Sequence, residues 1–168
     1  MKGALIALSV LIVAGVAVSG VLQRGYTQLE TERNDIDVRW AELEKDMKAR
    51  ADIVADLART HHAATAEQIL QARAALFAAG NRHEAVSANS RIAEALLEMQ
   101  RRDPVITTDQ RLQDAQQKLA MNGSDYNDAI QKYNVDLKLF PRNLIASVAH
   151  LGTYDAYFND GDEKHLAQ

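Results

Sequence analysis

The sequence predicts an all-α protein: an antiparallel bundle of four long helices, preceded by one N-terminal transmembrane helix. Three observations carry this. Ile36, Trp40, Leu43, Met47, Val54 and Leu57 step by four, three, four, seven and three, the spacing of one helix face. Leu112, Leu119, Tyr126, Tyr133 and Phe140 recur every seven residues, with Ile130 and Leu137 on the adjoining row, the pattern of a packed seam. Residues 4–22 form an uncharged apolar run, long enough as a helix to cross a hydrocarbon core of roughly 30 Å. Composition agrees: 168 residues, 47% hydrophobic and 25% charged, with only two prolines, suit one helical domain.

The elements follow in order. The apolar run reads as a retained anchor, because it continues past the one signal-peptidase-like site, Ala17-Val18-Ser19 before Gly20; a cleaved signal peptide is the competing reading. Gly15 and Ser19 are spaced to let two such helices approach, although small residues are common in any membrane helix. Lys2 opposes Arg24 and Arg33 across the run, nearly balancing the positive-inside rule, and the signal-like layout favours an extracytoplasmic domain.

Beyond Gly25 the next glycine is Gly80 and the first proline is Pro104, so a first helix is expected to continue from the membrane to about Phe77. From residue 27 that is roughly 75 Å of helix. Asp35 with Arg39, Glu44 with Lys48, and Asp46 with Arg50 are acid-first pairs four apart, placed on its solvent face. Gly80-Asn81 is expected to stop this helix in the left-handed conformation. A second helix over residues 84–102 ends at Asp103-Pro104, and Thr107 with Gln110 offers a capping box for a third over 108–140. Gly123 within it marks a bend or a close approach. Pro141 suits the first turn of a fourth helix, weakened at Gly152. Residues 1–24 are thus an anchor, 25–160 a helical domain and 161–168 a flexible tail.

Candidate chemistry is sparse. The absence of cysteine excludes disulfides, thiolate metal sites and cysteine nucleophiles, and leaves the redox compartment open. A net charge of −4 without a basic tract argues against general nucleic-acid binding. His61, His62, His83, His150 and His165 lack a second ligand at helical spacing, and Asp155 to Glu163 places Ala156 and Phe158 where a calcium loop needs oxygen ligands. No phosphate loop or nucleophile elbow is present. The residues therefore give no catalytic, cofactor-binding or metal site. Trp40, Tyr126 and Tyr133 read as core residues; Asn127 and Asn134 read either as buried polar contacts between helices or as half-exposed positions.

Two blocks carry a family resemblance. Arg33-Asn34, Trp40, the stretch KARADIV at 48–54 and Leu57 form the first; Tyr126-Asn127, Tyr133-Asn134, Phe140-Pro141 and Asn143-Leu144-Ile145-Ala146 form the second. Together they resemble the LemA family over about residues 25–158. Arg102-Asp103-Pro104 and Asn122-Gly123-Ser124 stand where that family usually has Glu-Tyr-Pro and Ala-Arg-Arg. The resemblance implies an up-and-down helical domain that keeps its N-terminal helix, in a bacterial inner membrane or a compartment derived from it, without an established reaction. The expected function is a non-enzymatic scaffold or adaptor held in the lipid bilayer. It would present a helical surface to membrane or envelope proteins and be able to form a homo-oligomer. The second reading is a helical sensory module acting through another protein.

Overall fold

The computed structural model describes the backbone of residues 2–159 and the side chains of residues 19–159. Five α-helices and one short 3-10 helix, with no strand, make up the described residues: α1 (Lys2–Thr60), α2 (Ala66–Ala78), α3 (Arg82–Arg102), the 3-10 helix Pro104–Thr108, α4 (Gln110–Asp136) and α5 (Arg142–Val148). Among the described residues no helix is long and apolar enough to cross a membrane. Most of the apolar run at 4–22, including Gly15, lies outside the described side chains, and the expected tail at 161–168 lies outside the described residues altogether.

The first expected helix is cut in two. His62 takes a φ of 47°, its N–H bonds Arg59 O, and Ala63 N–H bonds Ala58 O at 2.9 Å. This is the paired bonding that closes a helix on a left-handed residue, with histidine in the place glycine usually fills. His150 does the same after α5, where φ is 54° and Leu151 N–H bonds Ala146 O, so the stop precedes the expected Gly152. Gly80-Asn81, expected to be a left-handed stop, begins a helix instead. Asn81 is extended at φ −152° and its side chain caps α3 by accepting from Glu84 N–H, while the Glu84 carboxylate accepts from Gly80 N–H. The Thr107 and Gln110 box is also replaced. Asp109 caps α4 by accepting from Leu112 N–H at 3.1 Å; the Arg111 guanidinium and that bond hold its carboxyl below the usual range.

The chain forms two compact units. One comprises Asp37–Asp128 with Asp155–Gln168. Its core is the α1 stripe of Leu43, Met47, Val54 and Leu57, with Ile69 and Leu76 of α2, Ile92, Leu96 and Met99 of α3, and Leu112, Leu119 and Tyr126 of α4, all buried. Arg50 and Asp46, expected in water, belong to this buried face instead. Positions 47, 50 and 54 keep the seam spacing, and the two charges are tolerated there because partners from other helices meet them. Arg50 donates to Asn89 Oδ1 of α3 at 2.8 Å, and Asp46 accepts from Lys118 and Asn122 of α4.

α4 runs through Gly123 without interruption. A Cβ there would collide with the Phe158 ring, so glycine admits the ring of the C-terminal segment rather than another helix. Gly123→Ala should therefore lower stability by about 1–3 kcal/mol through overpacking, despite a helix-propensity gain of about 1 kcal/mol. In a Phe158→Ala background the same change should be neutral or stabilising, as urea unfolding would show.

The other unit comprises Met1–Ile36 with Ala129–Tyr154. Leu29, Ile36, Ile130, Tyr133, Leu137 and Ile145 are among its buried apolar residues. The heptad run breaks at its last member: α4 ends at Asp136, and Phe140 is 79% exposed in the turn before α5. Here Lys132 bonds Glu32 and Asp136, and Arg142 bonds Asp136 and Gln28, so that α1, α4 and α5 share one ionic network. Burial pushes the Asp136 carboxyl up, but the Lys132 ammonium bonded to it and the Arg142 guanidinium outweigh this and hold it below its usual value of 3.8. A depressed folded-state pKa contributes stability that is present above the unfolded value and lost as pH falls through the folded one. The urea midpoint should drop as the solution is acidified below about pH 4. Asp136→Asn should lower the midpoint at neutral pH and shrink that acid limb.

Candidate functional site

Three polar or exposed features bear on function. The first is at the turn between α1 and α2. His61 Nδ1 lies 2.7 Å from Asp103 Oδ2, and Asp103 Oδ1 accepts from Val105 N–H to cap the 3-10 helix. Nothing local in the sequence joins these two residues, which are 42 positions apart. They line a pocket of about 230 Å³ together with Met99, Ile106 and Thr65, a buried residue whose hydroxyl has no hydrogen-bond partner. Such a pair orients an imidazole, as a general base requires. Arg102 at the rim is bonded to Glu98 at 2.8 Å. Among the described residues no three His, Asp or Glu side chains converge as metal ligands. His83 meets Asp155, at 3.1 Å on the surface, and His165 lies outside the described residues.

The second feature is aromatic. Trp40 of α1 and Tyr126 of α4 are tilted rings with centroids 5.4 Å apart, and the Arg82 guanidinium of α3 lies 5.5 Å from the Trp40 centroid while also bonding Asp37. A cation over two rings and beside a carboxylate joins three helices at one point. Trp40, Tyr126 and Tyr133 are core groups as expected, with Trp40 half-buried and both tyrosines fully buried.

The third is the pair of YN motifs in α4. Asn127 Nδ2 donates to Phe158 O and its Oδ1 accepts from Phe158 N–H, both at 2.8 Å. Asn134 clasps Tyr154 in the same way, at 2.7 and 2.9 Å. Each side-chain amide thus bonds both the C=O and the N–H of one residue of the returning segment, satisfying groups that lie outside any helix. Both asparagines are half-exposed, the second of the two readings, and their bonds go to a returning segment rather than between helices. The tyrosines beside them differ. Tyr126 OH donates to Ala156 O at 3.0 Å, while the buried Tyr133 OH has no partner, and burial raises its pKa.

Comparison with known families places this arrangement. The family model described as LemA family matches residues 39–167, about three quarters of the chain. The chain belongs to the LemA family. No curated protein matches it. The match takes in both blocks from Trp40 onward, so the LemA signature can be read in structural terms. Arg50 within KARADIV is the buried cation on Asn89; the two YN motifs hold the C-terminal segment. In NLIA, Ile145 and Ala146 are buried and Leu144 is exposed. Sequence reasoning missed the His61–Asp103 pair and the burial of Arg50. The only local sign of the latter was the step of seven between Met47 and Val54, which Arg50 fills.

Proposed function

We propose that this LemA-family chain is a membrane-anchored, non-enzymatic scaffold or adaptor. Its helices would be arranged as an antiparallel up-and-down bundle presenting a helical surface to membrane or envelope proteins, with further copies of itself among the partners. The observation that carries this reading is where the polar side chains of α1 go. Asp37 is bonded to Arg82 of α3, Asp46 to Lys118 and Asn122 of α4, Arg50 to Asn89 of α3, Asp52 to Arg73 of α2, and Asp56 to Arg111 of α4. Five polar positions on one helix hold α2, α3 and α4, which favours cohesion over turnover as their role. The uncharged run at 4–22, on the same unbroken helix, supports attachment to a bilayer. The location proposed is a bacterial inner membrane or a compartment derived from it, with the helical domain on the extracytoplasmic side. Protease protection in spheroplasts checks that side.

Crosslinking in intact membranes followed by mass spectrometry tests the function. Stable protein neighbours, or a ladder of self-linked species, are expected; recovery of monomer alone contradicts the scaffold. The second reading, a sensory module acting through a partner, is favoured by the His61–Asp103 pocket with its unpartnered Thr65 hydroxyl. A melting shift with a small ligand, abolished by Thr65→Val, would support that reading instead.

A further inference from the structure

We propose that α5 and the turn before it form a lipid-docking foot that lies in the headgroup layer of an anionic bilayer. This inference rests on the reading that residues 4–22 are a retained anchor. Leu144 and Val148 are spaced by four along α5 and Phe140 lies in the turn before it; the three are 53%, 83% and 79% exposed. Apolar residues this exposed are unusual on a surface that faces only water. The other side of α5 is fixed: Ile145 and Ala146 are buried, and the Ile145 side chain comes so close to Gly25 of α1 that a Cβ there would lie 2.5 Å from it.

That contact sets the height of α5. Gly25 is three residues beyond Leu22, the last residue of the uncharged run, or about 4.5 Å along the helix. One headgroup layer is about 5–7 Å thick, the difference between the full bilayer and its hydrocarbon core shared between two faces. A helix packed at Gly25 is therefore held where an interfacial amphipathic helix would rest. Tyr26, 44% exposed, adds an amphipathic ring of the kind that suits this depth.

Charge points the same way. On the Gly25 side of the uncharged run, residues 23–29 and residues 137–154 contain no Asp or Glu, yet carry Arg24, Lys138 and Arg142. Asp136, just before the second stretch, is paired with Lys132 and Arg142. Both segments that meet at the Gly25 contact are thus acid-free, which complements anionic lipid rather than an acidic or neutral protein face. The Phe-Pro and NLIA motifs gain a shared role on this reading: the buried Ile-Ala pair seats α5, and Phe140 and Leu144 turn outward to lipid.

The chain has no cysteine, so single labels can be introduced into the full-length protein. Val148→Cys, Met121→Cys and Leu11→Cys, each carrying an environment-sensitive fluorophore, are reconstituted into vesicles of phosphatidylcholine and phosphatidylglycerol. Val148 and Met121 are both exposed, so neither label disturbs the core. Quenching by a shallow spin-labelled lipid is compared with quenching by aqueous iodide. The Val148 label should be quenched several-fold more by the lipid than the Met121 label is, and correspondingly less by iodide. If the Leu11 label is quenched by lipid but the Val148 label behaves like Met121, the foot is overturned and the anchor stands. If neither the Leu11 nor the Val148 label responds to lipid, both fall. A Val148 label shielded from both quenchers would mean that protein, a second copy or another chain, covers this surface, and would overturn lipid as its occupant.

Discussion

Replacing Asn89 with alanine should lower the unfolding free energy by about 3 kcal/mol, because it takes an acceptor away from a guanidinium that cannot discharge itself by losing a proton. Arg50 is 1% exposed and Asn89 is fully buried, so water cannot readily replace the lost bond. The sharper test is the double replacement Arg50→Met with Asn89→Leu. Removing both groups of this bond should recover part of that loss, since a buried ion recovers little beyond its own desolvation cost. Urea unfolding followed by helical circular dichroism, on the full chain in detergent, reads all of these. A double variant as unstable as Asn89→Ala would mean that Arg50 is needed for more than filling this seam.

Tyr126→Ala should cost about 3–5 kcal/mol, the range for emptying a buried aromatic site. The ring packs on Trp40 and its hydroxyl ties down Ala156, so two contacts are lost together. Tyr126→Phe separates them and should cost only about 1 kcal/mol. Tyr133→Phe should behave differently although it belongs to the same motif. Its hydroxyl is buried with no partner, so removing it should leave stability unchanged or raise it. Trp40 is the single tryptophan and lies 5.4 Å from the Tyr126 ring, so its emission should shift in Tyr126→Ala and stay fixed in Tyr133→Phe.

The helical class and most of the core were legible in the sequence because burial follows spacing. Leu112, Leu119, Tyr126 and Tyr133 recur every seven residues and all four are buried. Phe140 continues the count yet points outward, because periodicity registers apolar residues and not whether the chain is still helical. Asp46 and Arg50 were misplaced for the opposite reason. Their spacing put them on the seam and their charge suggested water; the partners that allow burial sit 72 and 39 residues downstream, where no local window reaches. The break after Thr60 was hidden because histidine at positions 62 and 150 performs what glycine usually signals. The C-terminal segment was legible only as an echo: two YN pairs seven apart mark where the segment is clasped, but side-chain amides that bond a distant backbone leave no pattern in that backbone's own sequence. At the functional level, the uncharged run was plain from the outset, whereas the His61–Asp103 pair and the exposure of Phe140, Leu144 and Val148 needed three-dimensional placement.

The measurement that bears most directly on a membrane-held helical adaptor is the intact mass of the mature chain, taken after alkaline carbonate washing of cell membranes. The account predicts that the species in the washed pellet still carries residues 4–22. A lighter species released into the wash, beginning at Gly20, would show that the run is a leader removed in processing, and would contradict both the tether and the lipid contact argued from it.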